Sequence, residues 1–439
     1  MPISPRLPHD PGVTSDAPNG QIRNLTATAF IGLLIGSVVF ALPHFEPGKS
    51  GDVAADFRVF YSAAVVVAHG GNPFHQATIV AVEQRVRSSF APAAAGANFA
   101  YLPVFAWLLI PFTALSFWAG FATFVALSLG LTVASIWLLA RRLGWRSPWL
   151  LALPAPLLWV STWGFLLGQF DAILLTALIV SILFRLQGRT LAPGAVLAVV
   201  WLKPQLLLPA VPLLALSYWP DRRRLLGVLA GFGIVSGALL LLELVATPGL
   251  LLPWWQYLHE FAADVPNSQF GLAGVTGLVS DLPRSWHLSN AVTGAIALVA
   301  AGIGTLAAVG VALRFAHSRS RSDTSGEEGV VLVVMLPLAI WLLVTPYSHL
   351  NDLVLLFPLL VVIIGRDGAR LRHWQAWALL AFFAAAPYVM VYSGFRFNSL
   401  PFVVLAVALF GGVLALCTPR SIGVTHAEAS ASTDGAVPS

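Results

Sequence analysis

A chain of 439 residues that is 58% hydrophobic and 10% charged, with a mean hydropathy of +0.82, excludes a soluble globular domain and reads as an all-α polytopic membrane protein. The net charge of +5 carries no nucleic-acid reading, because the basic residues sit in short gaps between apolar runs rather than on one patch. A single cysteine, Cys417, excludes an internal disulfide and a metal cluster built on thiolates.

In chain order, residues 1–24 are polar, with Arg6 and Arg23 ahead of the apolar run Leu25–Leu42. That pattern predicts a disordered cytoplasmic N-terminus followed by an uncleaved signal anchor. Further apolar segments lie near 101–115, 117–140, 148–165, 170–187, 191–202, 205–219, 225–245, 291–313, 330–345, 350–364, 374–393 and 400–417. The transmembrane domain is therefore expected over 25–417. Residues 418–439, small and rich in Ala and Ser, are expected to form a disordered cytoplasmic tail.

The arginines set the expected topology. Arg141–Arg146, Arg185–Arg189, Arg222–Arg224, Arg314–Arg321, Arg366–Arg372 and Arg420 fall in alternate gaps. Placing these gaps and the N-terminus in the cytoplasm puts 17 of 24 basic residues inside, against 9 of 19 acids, and that asymmetry decides the orientation. The scheme requires 101–140 to cross an odd number of times. We take 117–140 as the span and 101–115, with Pro103 and Pro111, as a re-entrant or interfacial helix. The result is about 12 transmembrane helices with both termini inside. Thirteen spans with Arg141–Arg146 outside is the alternative. Two external segments are long, 44–100 and 246–290, and within them 57–69 and 254–262 read as amphipathic helices at the membrane surface.

Lys203 is one of only two lysines and interrupts the apolar run Ala195–Ala210. A lysine at bilayer depth costs about 2.5–3.5 kcal/mol on insertion scales, so it either snorkels to an interface or serves a site. Pro204 directly after it predicts a helix break facing a cavity. Other polar residues gather on the same external side: Asp52, Asp56, Gln169, Asp171, Ser268, Gln269, His349, Asn351, Asp352 and Arg396. Each has a local reading too. Asp56, Gln169, Asp171, His349, Asn351 and Asp352 could all be helix caps, and Glu243 could mark the interface or pair with an external arginine. His349 and Asp352 are spaced i, i+3, but no metal site is expected from so few ligands. Convergence on one side favours a site near the outer leaflet.

Asp56-Phe-Arg58-Val-Phe-Tyr61-Ser-Ala-Ala64, followed by Gly70-Gly-Asn72-Pro73-Phe74, resembles the first-loop signature of glycosyltransferase family 87. Tyr101-Leu-Pro103, Gly168-Gln169, Lys203-Pro204 and Pro346-Tyr-Ser-His349 follow in the family's order, so the resemblance runs over roughly 25–415. It implies a GT-C fold and inverting transfer of a sugar, usually mannose, from a polyprenyl-phosphate donor to an acceptor hydroxyl of a glycolipid or glycan. The transfer would take place on the extracytoplasmic side of a bacterial plasma membrane. It also implies that a first-loop aspartate is the general base, assigned here to Asp56; no cofactor is expected. Chemistry fits the parts list. A phosphodiester-linked sugar already has a good leaving group, so one carboxylate base is enough, and a cation must meet the charge that develops on phosphate. Lys203 is the first candidate cation, with Arg58 and Arg396 next; Gln169, His349 and Tyr61 are candidates to hold the donor's sugar or phosphate.

A multi-pass transporter or lipid flippase is the competing class, since intramembrane lysines and proline-broken helices also mark transport sites. Against it stand the one-sided polar groups and the long external segments. The arginine scheme makes a direct prediction. Cysteines introduced at Ser88 and Ser318 should react with an impermeant thiol reagent from opposite sides of the membrane; labelling of both from outside intact cells overturns the topology.

Overall fold

The computed structural model of the protein describes residues 53–86, 99–145, 147–264, 290–319, 327–345 and 348–367. The described residues form helices and their connections, with no strand. The run 25–42, the segments 374–393 and 400–417, both terminal segments, Asp52, Ser268, Gln269 and Arg396 lie outside them.

Three described helices are long and apolar enough to cross a membrane: α4 (Phe117–Arg142), α11 (Arg222–Ala246) and α14 (Glu327–Val344). At 26 residues α4 runs about 39 Å, longer than the ~30 Å hydrocarbon slab. Several other apolar runs are broken. Segment 148–165 becomes a short helix α5 (Trp149–Ala152), a 3₁₀ turn and α6 (Trp159–Leu167), with a bend of 53°. Pro154 and Pro156 each remove a backbone donor inside the run, so a continuous α-helix cannot form, while Pro148 is the N-cap that starts α5. The run 101–115 likewise divides into α3 (Pro103–Leu108) and a 3₁₀ turn, and neither piece has the length of a crossing.

Helix α1 (Ala55–Ala68) forms where the sequence predicts a helix, but it is enclosed by protein rather than laid out with one free apolar face. Phe57, Arg58, Phe60, Tyr61, Ala63 and Ala64 are all buried in protein. Its sequence explains this: apolar residues occupy every face, the mark of a helix enclosed on all sides. Phe57 sits among Phe112, Phe117, Phe121 and Phe124, with ring centroids 5.4–6.3 Å away. The chain leaves α1 through a turn in which the Asn72 side chain accepts the Phe74 N–H (2.9 Å). Helix α2 (Gln76–Arg85) follows. Gln76 donates to the hydroxyl of Tyr257 (3.0 Å) on α12 (Leu251–Asp264), so segments 44–100 and 246–290 meet through these two helices.

Helix α7 (Asp171–Leu186), of 16 residues, runs about 24 Å from the polar cluster to the arginine end. There Arg185 donates to the Ser217 hydroxyl (2.8 Å) and carbonyl (2.5 Å), and its guanidinium lies 3.7 Å from the centre of the Tyr218 ring. The Tyr218 hydroxyl also reaches the Arg189 carbonyl. Residues 191–218 therefore leave and return to one end as a hairpin. Its arms are α8 (Leu191–Leu197) with a 3₁₀ turn, and α9 (Pro204–Leu207) with α10 (Ala210–Leu216), and its tip is Lys203. At the same arginine end, Arg142 pairs with Glu327 (2.5 Å), an exposed contact of small energetic weight. Helix α13 (Asn290–Arg319) packs along α14, where Gly304 faces the Val344 side chain, and α15 (Phe357–Asp367) follows the last polar turn.

The first arm of the hairpin is held by glycines. Gly227-Val-Leu-Ala-Gly231 on α11 is a small-xxx-small stripe, and a Cβ on Gly231 would lie 2.0 Å from the Leu191 carbonyl oxygen. A Cβ on Gly194 would lie 1.8 Å from the Val228 carbonyl oxygen. The two backbones touch directly, which is how helices associate where lipid supplies no hydrophobic drive. Gly194→Val should separate them and lower the thermal unfolding midpoint in detergent, by an overpacking cost of about 1–3 kcal/mol or more. Gly233→Ala, whose new methyl meets nothing within 4 Å, should not.

Candidate active site

The polar residues of one end converge on Lys203. Its ammonium donates to Asp171 (2.7 Å) at the start of α7 and to Asp352 (2.7 Å) in the 3₁₀ turn Leu350–Leu356. Lys203, Asp171 and Asp352 are 5%, 4% and 1% exposed. Two of the three ammonium donors thus go to carboxylates, and Lys203 does not snorkel. The remaining carboxylate oxygens are also used. Asn351 donates to the second oxygen of Asp171 (2.5 Å), and the His349 N–H donates to the second oxygen of Asp352 (2.7 Å). A Cβ on Gly164 would come within 3.2 Å of the Asp171 carboxylate, so this position of α6 leaves the network its room.

Asp56 lies in the first turn of α1, two residues after the N-cap Ala54, so it is not the cap. A carboxylate there is favoured by the positive end of the helix. Gln169 donates to it (2.5 Å), which joins α1 to the α6–α7 turn. The turn is built for that approach. Gly168 has φ +76°, and a Cβ on it would sit 2.5 Å from the Phe57 Cβ, so only glycine fits. The Ala54 N–H donates to the Leu166 carbonyl (2.7 Å), and Phe60 stacks on Phe170 with centroids 4.3 Å apart. The Gly168-Gln169 pair is thus one unit: the glycine admits α1 and the glutamine holds its aspartate. Tyr101 stands edge-on to Phe60 and Phe170 (5.1 and 5.5 Å) and closes the side of this cluster.

Asp56 is partly buried. Burial pushes its carboxyl above the ordinary aspartate range. The Lys203 charge, the Gln169 hydrogen bond and His349 oppose that rise, and Asp171 adds to it. A carboxylate beside this ion network, with raised proton affinity, can accept a proton from a hydroxyl.

The other expected site residues separate. Asp56, Gln169, Lys203 and His349 share this cluster. Arg58, two positions after Asp56, faces Glu83 of α2, whose carboxyl burial pushes up to about 7 against the Arg58 charge. The Tyr61 hydroxyl donates to the Leu115 carbonyl (3.0 Å) and so braces the 110–115 wall. Among the described residues Glu243 pairs with no arginine: it accepts the Val104 N–H (2.6 Å) and the Thr247 hydroxyl, tying α11 to the first turn of α3. Asp171 and Asp352 prove to be partners of Lys203, Asn351 donates to Asp171, and Asp352 serves at the same time in the capping box at His349. The signal for this was Lys203 itself, since a buried cation requires counter-charges from elsewhere in the chain.

A family model described as glycosyltransferase family 87 matches residues 99–346, a stretch that includes Tyr101, Gly168, Gln169, Asp171 and Lys203. No curated protein and no solved structure matches the chain. The family match covers more than half of the 439 residues, and on it the chain belongs to glycosyltransferase family 87.

Proposed function

We propose that the chain is a GT-C-type membrane glycosyltransferase of about 12 spans that moves a hexose, mannose first among them, from a polyprenyl-phosphate donor to the hydroxyl of a glycolipid or glycan. The reaction takes place on the extracytoplasmic side of a bacterial plasma membrane. The observation that carries this reading is Asp56, held by Gln169 at the edge of the buried Lys203 network. In the proposed reaction one Asp56 oxygen stays with Gln169, and the other takes the acceptor's proton. The acceptor oxygen forms its bond to the anomeric carbon from the face opposite the phosphate. The bond to the phosphate oxygen breaks, and its electron pair leaves with the polyprenyl phosphate, so configuration inverts. The third Lys203 donor, His349, Arg58, Tyr61 and Arg396 are the candidates to hold the phosphate and sugar. The family match supports transfer over transport.

Membranes carrying the full-length chain should transfer label from polyprenyl-phosphate-[³H]mannose to their own glycolipids. Asp56→Asn keeps the side chain's shape and its contact with Gln169 but removes the proton acceptor. Expression and donor binding should persist while turnover falls by roughly 10²–10⁴-fold. Because the Asp56 carboxyl is raised, wild-type transfer should fall as pH drops through a value above the ordinary aspartate range of about 4. Near-full turnover in Asp56→Asn overturns the assignment.

A further inference from the structure

Asp171 and Asp352 are two buried carboxylates that the proposed chemistry does not use. A single buried lysine needs one acid for charge balance, and this one has two, brought from positions 32 and 149 residues away. With both acids ionised, the cluster Asp171–Lys203–Asp352 holds one negative charge more than its lysine balances, beside Asp56, and all three side chains are buried. We propose that Asp171 and Asp352 are positioning residues for glycosyl transfer: by holding the Lys203 ammonium between them, they keep it from pairing directly with Asp56 and so keep that carboxylate a proton acceptor.

The geometry favours this over simple bracing. Lys203 alone near Asp56 would form the obvious ion pair, and a base neutralised by a direct lysine contact accepts a proton poorly. Here the lysine bonds instead to Asp171 and Asp352, and Asp56 bonds to the neutral amide of Gln169. The second oxygen of each acid is anchored, Asp171 by Asn351 and Asp352 by the His349 N–H, so neither carboxylate can turn away. Gln169 and Asp171 belong to one turn, so the segment that aims at the base also carries a counter-charge. The groups acting on Asp56 are Lys203 from the hairpin tip, Asp171 from α7 and His349 from the 3₁₀ turn, with Asp352 behind Lys203. On its own helix Arg58 acts on Glu83 of α2.

The inference rests on Asp56 as the base, and the test separates the two claims. The acidic limb of transfer efficiency against pH is measured on membranes with polyprenyl-phosphate-[³H]mannose and their endogenous glycolipids. Asp352→Asn and Asp171→Asn remove a negative charge and free Lys203 to act on Asp56, so the limb should move to lower pH by roughly one unit. Lys203→Met removes the positive charge, so the limb should move to higher pH. Opposite signs distinguish charge balance from bracing, which would lower the rate in all three variants and leave the limb in place. Where a single variant does not insert, the neutral pair Lys203→Met with Asp352→Asn carries the test: its net charge is unchanged, and its limb should stay within about half a unit of wild type. Limbs that do not move, that move in the same direction for Lys203→Met and Asp352→Asn, or a displaced limb in the neutral pair overturn the proposal while leaving Asp56 as the base. Full transfer by Asp56→Asn removes the base itself, and with it both claims.

Discussion

The fold of this end of the protein turns on one buried ammonium. Lys203 cannot be left unpaired in a low-dielectric interior, and removing one partner of such a pair typically costs about 3–5 kcal/mol. Its partners come from the first turn of α7 and from a 3₁₀ turn far along the chain, so three separate segments must meet for the charge to be tolerated. Mutual attraction offsets the desolvation of all three groups only because every carboxylate oxygen has a donor. Such a network adds little net stability over well-packed apolar side chains. What it adds is position: the hairpin tip, α7 and the 3₁₀ turn have one mutual arrangement that satisfies it.

Helix α1 reaches that network by packing of a different kind. Its carboxylate stands at the end of a helix whose other faces are aromatic, and the interlocked rings around Phe57 and Phe60 fix its height and rotation. The backbone contact of Ala54 with Leu166 and the missing side chain at Gly168 then let it come within hydrogen-bond reach of Gln169. A polar site is thus carried on an apolar and glycine-lined frame, each part using the interaction best suited to a dry interior.

Much of this was legible in the residues, unevenly. Lys203 declared itself because a lone cation in an apolar run has few explanations. Its partners did not, because an acid at a helix start reads first as a cap, and nothing in a sequence records that positions 171, 203 and 352 will meet. The helix at 55–68 was legible, while its burial was hidden by the expectation that an external segment faces lipid headgroups; its apolar residues on every face were the overlooked sign. The break in 148–165 could be read from Pro154 and Pro156. Glu243 could not be resolved, since its partner is a backbone N–H at the start of a six-residue helix. Membership of the glycosyltransferase family was legible from the order of short motifs, and the match over 99–346 bears that out.

The hairpin arms have a consequence for how molecules arrive. An arm of 12 residues from Leu191 to Leu202 covers about 18–24 Å, less than the ~30 Å thickness of the hydrocarbon layer. A tip that starts from one boundary therefore ends inside the slab, well short of the opposite headgroups. Water-soluble and lipid-borne molecules meet that depth differently. In the proposed reaction a polar acceptor descends through protein, past α2 and α12 where Gln76 meets Tyr257, whereas the tail of a lipid-linked donor is already at the right level and need only slide sideways between helices. On that proposal the sunken reaction centre admits its two substrates by perpendicular routes, one vertical and hydrated, the other lateral and oily.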